Sequence, residues 1–303
     1  MMRIKKRTLK VIGLVIIALL LICGLCLYRN KNQYAFQEDS FSYSSDRGRP
    51  EYSISLRSHN ETFDVYDVDF KSRPFLEYPA RVYGLLLMPK NHGKVPGVVL
   101  LPGGGISKEA EFPHAAIIAN RGYAVLVIDQ RGIGQTDGNY PSFEDDAIIL
   151  RQGKEPIQHL CVYDALRASD VLREMTNVDK EKIALVGLSM GGRYAIIAGA
   201  LDKKIKGVIA ISSAGFHVSK DNSPESGYFL SIDPDQYISR ISPNYLFMIH
   251  GTNDTKVPIQ DAEITFSIAK EPKKFFEAKG CGHGYCDNMH ENLKSALKEI
   301  FGQ

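Results

Sequence analysis

From Pro96 onward, short and mostly apolar runs alternate with longer segments whose apolar positions recur every three or four residues. The short runs are Gly97 to Leu101, Tyr123 to Asp129, Ile183 to Leu188, Gly207 to Ser212 and Tyr245 to His250, which suit buried strands, and Lys274 to Ala278, a strand that also carries Lys274 and Glu277. The helical segments are Lys108 to Asn120, Ile157 to Met175, the small-residue stretch from Met190, Ile259 to Ala269, and Met289 to Phe301. Strands and helices in strict alternation predict a mostly parallel sheet with helices on both faces. Ahead of them, Phe63, Val65, Tyr66, Val68 and Phe70 partly alternate with polar residues, and Ala80 to Met88 is a second strand-like run. These two predict antiparallel strands at one edge of the sheet.

The N-terminal sixty residues follow neither rhythm. Val11 to Tyr28 is an uncharged apolar run that would span about 27 Å as a helix. Arg3, Lys5, Lys6, Arg7 and Lys10 precede it and Arg29 and Lys31 follow, a bias that places the N-terminus in the cytoplasm and the rest outside. The segment is read as a signal anchor; a signal peptide removed to release a secreted protein is the alternative, although no A-x-A pattern is present. Asn30 to Glu51 is polar and is read as part of a tether. The predicted organisation is thus a basic cytoplasmic segment at 1–10, a transmembrane anchor at 11–28, a tether at 29–61 and one α/β domain at 62–303.

The 303 residues are 44% hydrophobic, enough to bury a full core. The formal charge of +2 hides an asymmetry, because the basic residues at the N-terminus leave the remainder acidic. That balance argues against nucleic acid as a partner. No His, Asp or Glu cluster has zinc spacing, and the glycine run Gly103 to Gly105 lacks the Lys-Ser/Thr of a phosphate-binding loop. Of the cysteines beyond the anchor, Cys161 falls on a helical stripe with Ala165, Ala168 and Leu172 and suits a buried position. Cys281 and Cys286 bracket a histidine and can either stand free or close a small disulfide loop in an oxidising compartment.

Chemistry concentrates where strands end. Gly187-Leu188-Ser189-Met190-Gly191-Gly192 joins an apolar strand to a helix through a turn so tight that glycines flank the serine on both sides. Such a turn exposes the serine hydroxyl at the top of the sheet. A hydroxyl needs a base, and the base needs a carboxylate to fix its tautomer. Asp254 lies in the loop after Tyr245 to His250, and His283, flanked by glycines, in the loop after the last strand.

The order Ser189, Asp254, His283 resembles that of the α/β-hydrolase superfamily, nearest the dienelactone hydrolase and prolyl-oligopeptidase-like branch. Four segments carry the resemblance: Gly187 to Gly192, His250 to Pro258, Gly282 to Tyr285, and the strand-end Asp129 to Gly134. It implies an α/β-hydrolase fold with a short lid, in which Ser189 is the nucleophile, His283 the base and then the acid, and Asp254 the orienting carboxylate. The oxyanion hole would use the N–H groups of Met190 and Gly104. Pro102 stands where relatives commonly have histidine and can donate no hydrogen bond. Phe216, Tyr228 and Phe229, in the long segment Ser213 to Asn244, are candidates for lining the acyl pocket, with local packing as the alternative. His250 is assigned a structural hydrogen bond, and Asp129 and Arg131 a role in pinning their loop.

The implied activity is hydrolysis of a small carboxylic ester or thioester through an acyl-enzyme, with no cofactor or metal. A serine peptidase acting on a short peptide and a non-catalytic binding protein on the same fold are the alternatives.

Overall fold

The computed structural model describes residues 12, 15–19, 34–90, 93–140 and 142–303. The basic segment and most of the apolar run at 11–28 lie outside them. Among the described residues no helix is long and apolar enough to cross a membrane.

Nine strands form the central sheet. β3 (Tyr52–His59), β4 (Phe63–Phe75) and β5 (Tyr78–Pro89) make an antiparallel edge, and β6 (Val95–Leu101), β7 (Ala124–Ile128), β8 (Val178–Leu188), β9 (Ile205–Ile211), β10 (Tyr245–Gly251) and β11 (Lys273–Ala278) run parallel. Their spatial order is β11-β10-β9-β8-β6-β7-β5-β4-β3, with β5 antiparallel to β7. The chain therefore turns back at β6, leaving β7 on one side of it and β8 on the other. Ligand sites in open α/β sheets form at such reversals, beyond the carboxyl ends of the strands.

The helices cover both faces, and the strand alternation decides which residues meet them. Val98 and Leu100 of β6 join Val125 and Val127 of β7 in the layer under α1 (Lys108–Ala119) and the C-terminal helix α7 (His290–Phe301). Their neighbours Val99, Leu101, Leu126 and Ile128 face the other way, against α3 (Ile157–Glu174) and α4 (Met190–Leu201). Period two thus sorts one apolar run into two cores.

Two segments differ from the sequence reading. The polar stretch Tyr140 to Glu155 contains a helix, α2 (Phe143–Arg151), capped by the Ser142 hydroxyl and acidic in its first turn. The larger correction concerns the tether. Residues 34–59 are part of the folded domain: β1 (Tyr34–Gln37) and β2 (Ser40–Tyr43) form a hairpin, and β3 is the outermost strand of the main sheet.

Polar and aromatic groups, and few aliphatic ones, hold this segment to α3. Phe41 stacks on the His159 ring at 3.8 Å, the Tyr34 hydroxyl meets His159 Nδ1 at 2.9 Å, and the Tyr43 hydroxyl donates to the His159 carbonyl. Arg47 is buried between Asp170 (2.7 Å) and Asp202 (2.6 Å), and Arg167 donates to the carbonyls of Arg47, Gly48 and Arg49. Burial would lower the Arg47 guanidinium, but Asp170 and Asp202 reverse the effect and raise it.

His159 Nε2 lies 2.7 Å from the Ser231 hydroxyl, whose own proton goes to the Tyr228 carbonyl, so Nε2 carries the hydrogen and Nδ1 accepts from Tyr34. Burial keeps this imidazole neutral, pulling its pKa down to about 3. An unfolded histidine titrates near pH ~6.5, so the unfolded chain takes up the proton first as pH falls. Stability is fully present above that value and declines towards pH 3 by about 1.4 kcal/mol per unit. Urea unfolding at about pH 7.5 and 5.5 should show wild type losing roughly 1.4 kcal/mol more than His159→Gln over that interval. Equal losses in the two proteins would contradict the neutral buried histidine.

Candidate active site

The junction of β8 and α4 is the tightest point in the fold. Ser189 sits there with φ 52° and ψ −115°, a left-handed conformation that costs a side-chain-bearing residue about 1–3 kcal/mol. Its N–H is secured by the Ile211 carbonyl of β9 at 2.8 Å. A Cβ on Gly187 would overlap the backbone of Gly191, and one on Gly191 would overlap the carbonyls of Leu101 and Pro102. Only glycine lets β8, α4 and the end of β6 approach this closely. Ser189 is thereby turned out of the sheet, and Met190 begins the helix, where its N–H has no intrahelical acceptor.

Two loops converge on the serine. The His283 imidazole places Nε2 3.0 Å from the Ser189 hydroxyl, while Nδ1 lies 3.0 and 2.9 Å from the two Asp254 carboxylate oxygens. Nδ1–H donates to Asp254, which leaves Nε2 free to accept the serine proton. Asp254 is buried and also accepts from the N–H groups of Lys256 and Val257. Burial would raise its carboxyl, but the hydrogen bonds from Val257, His283 and Lys256 outweigh it and hold the group below the usual carboxylate range. His250 Nε2–H donates to the Val257 carbonyl at 2.8 Å, tying the Asp254 loop to the strand it leaves. A disulfide between Cys281 and Cys286 closes the loop that carries His283, which answers a question the sequence left open.

Opposite the serine runs the glycine loop. Gly103 approaches the Ser189 side chain and Gly104 packs over Met190. At Pro102, where the sequence lacks a histidine, the carbonyl accepts from the Gln130 amide, just beyond β7, at 2.5 Å. Asp129 accepts from the Lys108 N–H at 2.6 Å and from Lys108 Nζ at 2.7 Å, fixing the start of α1 directly after the loop. Arg131 lies fully buried, paired with Asp164 at 2.7 Å and bonded to the Arg73 carbonyl. The strand-end segment Asp129 to Gly134 therefore braces the loop and makes no contact with Ser189.

The profile of the acetyl xylan esterase (AXE1) family matches residues 47–214, more than half of the chain. The chain belongs to the acetyl xylan esterase family. Among curated proteins it is 30% identical over 204 residues to the uncharacterized protein YfhR of Escherichia coli K12, a match covering 62% of this chain and 66% of that one. Across the first such relatives the chain spans 55 to 66% of their length. Solved structures share its α/β-hydrolase fold. Acetyl xylan esterase 1 of Thermoanaerobacterium sp. JW/SL YS485 has a TM-score of 0.68 at 17% identity, over 90% of this chain and 98% of that one. The acetyl xylan esterase of Paenibacillus sp. R4 has a TM-score of 0.69 at 20% identity, over 84% and 90%.

In this family member a cavity of about 370 Å³ opens beside Ser189, between α4, the loop after β9 and the loop after β10. Phe216 lines it, as the sequence suggested, but Tyr228 and Phe229 do not. Tyr228 is buried behind the cavity with Ala147 and Ile232, its hydroxyl donating to Asp146, and Phe229 packs its ring edge against Phe143. The aromatic that does reach the cavity is Phe143 of the unforeseen helix α2. Arg193, Ser213, His217 and Lys256 also line it and were not singled out from sequence. Arg193 was open to inference, since it lies one helical turn beyond the serine, its N–H bonded to the Ser189 carbonyl.

The brace on the glycine loop generates a prediction. Asp129→Asn keeps the side-chain shape but removes the buried carboxylate from Lys108, leaving its ammonium only the more exposed Glu109 carboxylate at 3.0 Å, at a cost on the order of 2–3 kcal/mol. Chemical unfolding should show this loss, while Gln135→Ala, which removes a neutral contact to the same ammonium, should cost about 1 kcal/mol.

Proposed function

We propose that the chain is a serine hydrolase that cleaves a carboxylic ester or thioester through an acyl-enzyme on Ser189. The observation that carries this reading is the unbroken hydrogen-bonded path from the Ser189 hydroxyl through His283 to Asp254, beginning at a serine in a left-handed turn. Membership of the acetyl xylan esterase family supports an ester as the bond attacked.

In this mechanism His283 Nε2 takes the hydroxyl proton as Ser189 Oγ bonds to the carbonyl carbon. The imidazolium so formed is stabilised by Asp254, which is already ionised because its pKa is held low. The carbonyl oxygen becomes an oxyanion facing the N–H groups of Met190 and Gly104. Collapse of this adduct expels the alcohol or thiol, which receives the proton from His283 Nε2, and leaves the acyl group on Ser189. Water then repeats the sequence, its proton passing to His283, and the acid departs.

Ser189→Ala should abolish hydrolysis of p-nitrophenyl acetate and labelling by a fluorophosphonate probe while leaving the unfolding midpoint near that of wild type. Turnover that survives unchanged in the variant would sink the mechanism. Asp254→Asn should lower turnover by something on the order of 10⁴-fold, since the imidazole loses the partner that fixes its tautomer. Acidification should also reduce the rate, because a protonated Nε2 cannot accept the serine proton.

We further propose that the domain is carried outside the cytoplasm on the apolar segment at 11–28. Its support is the uncharged run itself, the cations that precede it, and the exposed apolar side chains of Ile12 and of residues 15–19. Protease added to intact cells should degrade the domain, and full protection would reverse this topology.

A further inference from the structure

The cavity beside Ser189 contains a cation without a counter-ion. Arg193 rises from the first turn of α4 and is half-buried, with its guanidinium carbon 4.3 Å from the centre of the Phe216 ring. Phe216 is in turn braced edge-on by Phe143 at 5.9 Å. Among the described residues the Arg193 guanidinium has no hydrogen bond and no ion pair at contact distance.

The contrast with the other buried arginines is informative. Arg47 and Arg131 each face carboxylates that outweigh their burial and raise their pKa, whereas burial pulls Arg193 down. Asp233, the acid that acts on Arg193 electrostatically, is already engaged, as is its neighbour Asp235. Asp233 accepts from the N–H groups of Phe216, Val218 and Asp235, and Asp235 holds the His217 ring at 2.6 Å. A guanidinium removed from water without a partner is unfavourable unless something completes it.

Two further groups in the same cavity lack partners. The Ser213 hydroxyl is buried, with its residue only 1% exposed, and makes no hydrogen bond. His217 Nε2 is also buried and unbonded, its other nitrogen being committed to Asp235. Lys256 adds a second cation to the lining, and Asp261, 3.9 Å from His217 Nε2, adds one acid on the same wall.

We propose that this cavity takes an anionic ester, one whose acyl or alcohol part bears a carboxylate that is held by Arg193 and Ser213. Arg193 follows Ser189 by four residues, so its side chain starts about 6 Å from that of the nucleophile. The second carboxylate therefore lies a few bonds from the scissile carbonyl, within the reach of a short dicarboxylic monoester or of an acylated hydroxy acid. Arginine suits the task because its planar fork matches a carboxylate with two parallel hydrogen bonds, and Phe216 holds that plane in position. This inference rests on the ester-hydrolase reading of Ser189 and specifies its substrate class.

The test uses two matched pairs of substrates with the full chain. One pair is a p-nitrophenyl hemisuccinate and its neutral methyl ester; the other is 4-acetoxybenzoate and its methyl ester. In one pair at least, wild type should show a kcat/KM for the anion above that for its neutral partner by about 10- to 100-fold. The pair that responds tells whether the carboxylate sits on the acyl or the alcohol side. Arg193→Met should reduce that ratio to about one or below, and Arg193→Lys should restore part of it. Because the ratio is internal to each variant, it does not depend on the fraction of protein that folds. Ratios at or below one in both pairs for wild type, or a ratio unchanged in Arg193→Met, would overturn the proposal. If wild type hydrolyses none of the four esters and resists the fluorophosphonate probe, it is the hydrolase reading that fails. Calorimetric titration with succinate then decides the anion site by itself: binding lost in Arg193→Met supports it, and no binding to wild type overturns it.

Discussion

Contact between backbones at the end of β8 sets the terms for the rest of the molecule. Gly187 lies against Gly191, and Gly191 against the carbonyls of Leu101 and Pro102, so the elbow is pressed onto the last residues of β6. At that separation the chain has no room for a side chain, and Ser189 is left with a conformation that residues with a Cβ rarely adopt. The strain persists because the surroundings over-determine it. The Ile211 carbonyl holds the Ser189 N–H, and α4 pulls away immediately after. One consequence is that the glycine loop following β6 must lie opposite the serine. The elbow and the loop are two sides of one contact.

A second set of constraints is polar and passes through α3. That helix has its side chains buried along nearly its whole length, including Gln158, His159, Asp164 and Arg167. Each is matched at long range: Gln158 by Tyr194, His159 by Tyr34 and Ser231, Asp164 by Arg131, Arg167 by the backbone at 47–49. Neutral burial of His159 and the paired burial of Arg47 make the N-terminal hairpin a structural part of the domain. They also couple it to the catalytic end, because Asp164 fixes Arg131 in the same strand-end segment whose Asp129 and Gln130 hold the glycine loop.

This division explains what could be read from the chain directly. The parallel strands, most of the helices and the elbow are written in local patterns: period two, period three to four, and glycines at fixed distance from a serine. Ser189, Asp254 and His283 were found because each follows a recognisable strand, and the structure brings the three side chains within hydrogen-bond reach. The hairpin at 34–43 was mistaken for tether because its burial depends on partners more than a hundred residues away, such as Tyr43 with Glu155 and Phe41 with Tyr237. β3 is exposed along almost its entire length and so shows no amphipathic signal. Tyr228 was named as a candidate and Phe143 was not, for a related reason. Aromatic character says that a residue will be covered, but only the packing of α2 against the segment after β9 decides which ring faces the cavity and which lies behind it.

The same geometry bears on how substrate would be aligned. Met190 and Arg193 lie in the first turn of α4 and Ser189 caps it, its carbonyl accepting from the Arg193 N–H, so the backbone positions proposed to carry the attacking oxygen, one oxyanion donor and the anion contact are fixed relative to one another. His283 and Asp254 come from separate loops, and each is fastened by its own device: the disulfide at 281–286, and the N–H groups of Lys256 and Val257. A substrate held by Arg193 is then positioned relative to the nucleophile before any loop contributes. Small shifts of the histidine loop would alter proton transfer more than substrate placement. Recognition in this arrangement belongs to the rigid helix, and proton handling to the loops that close on it.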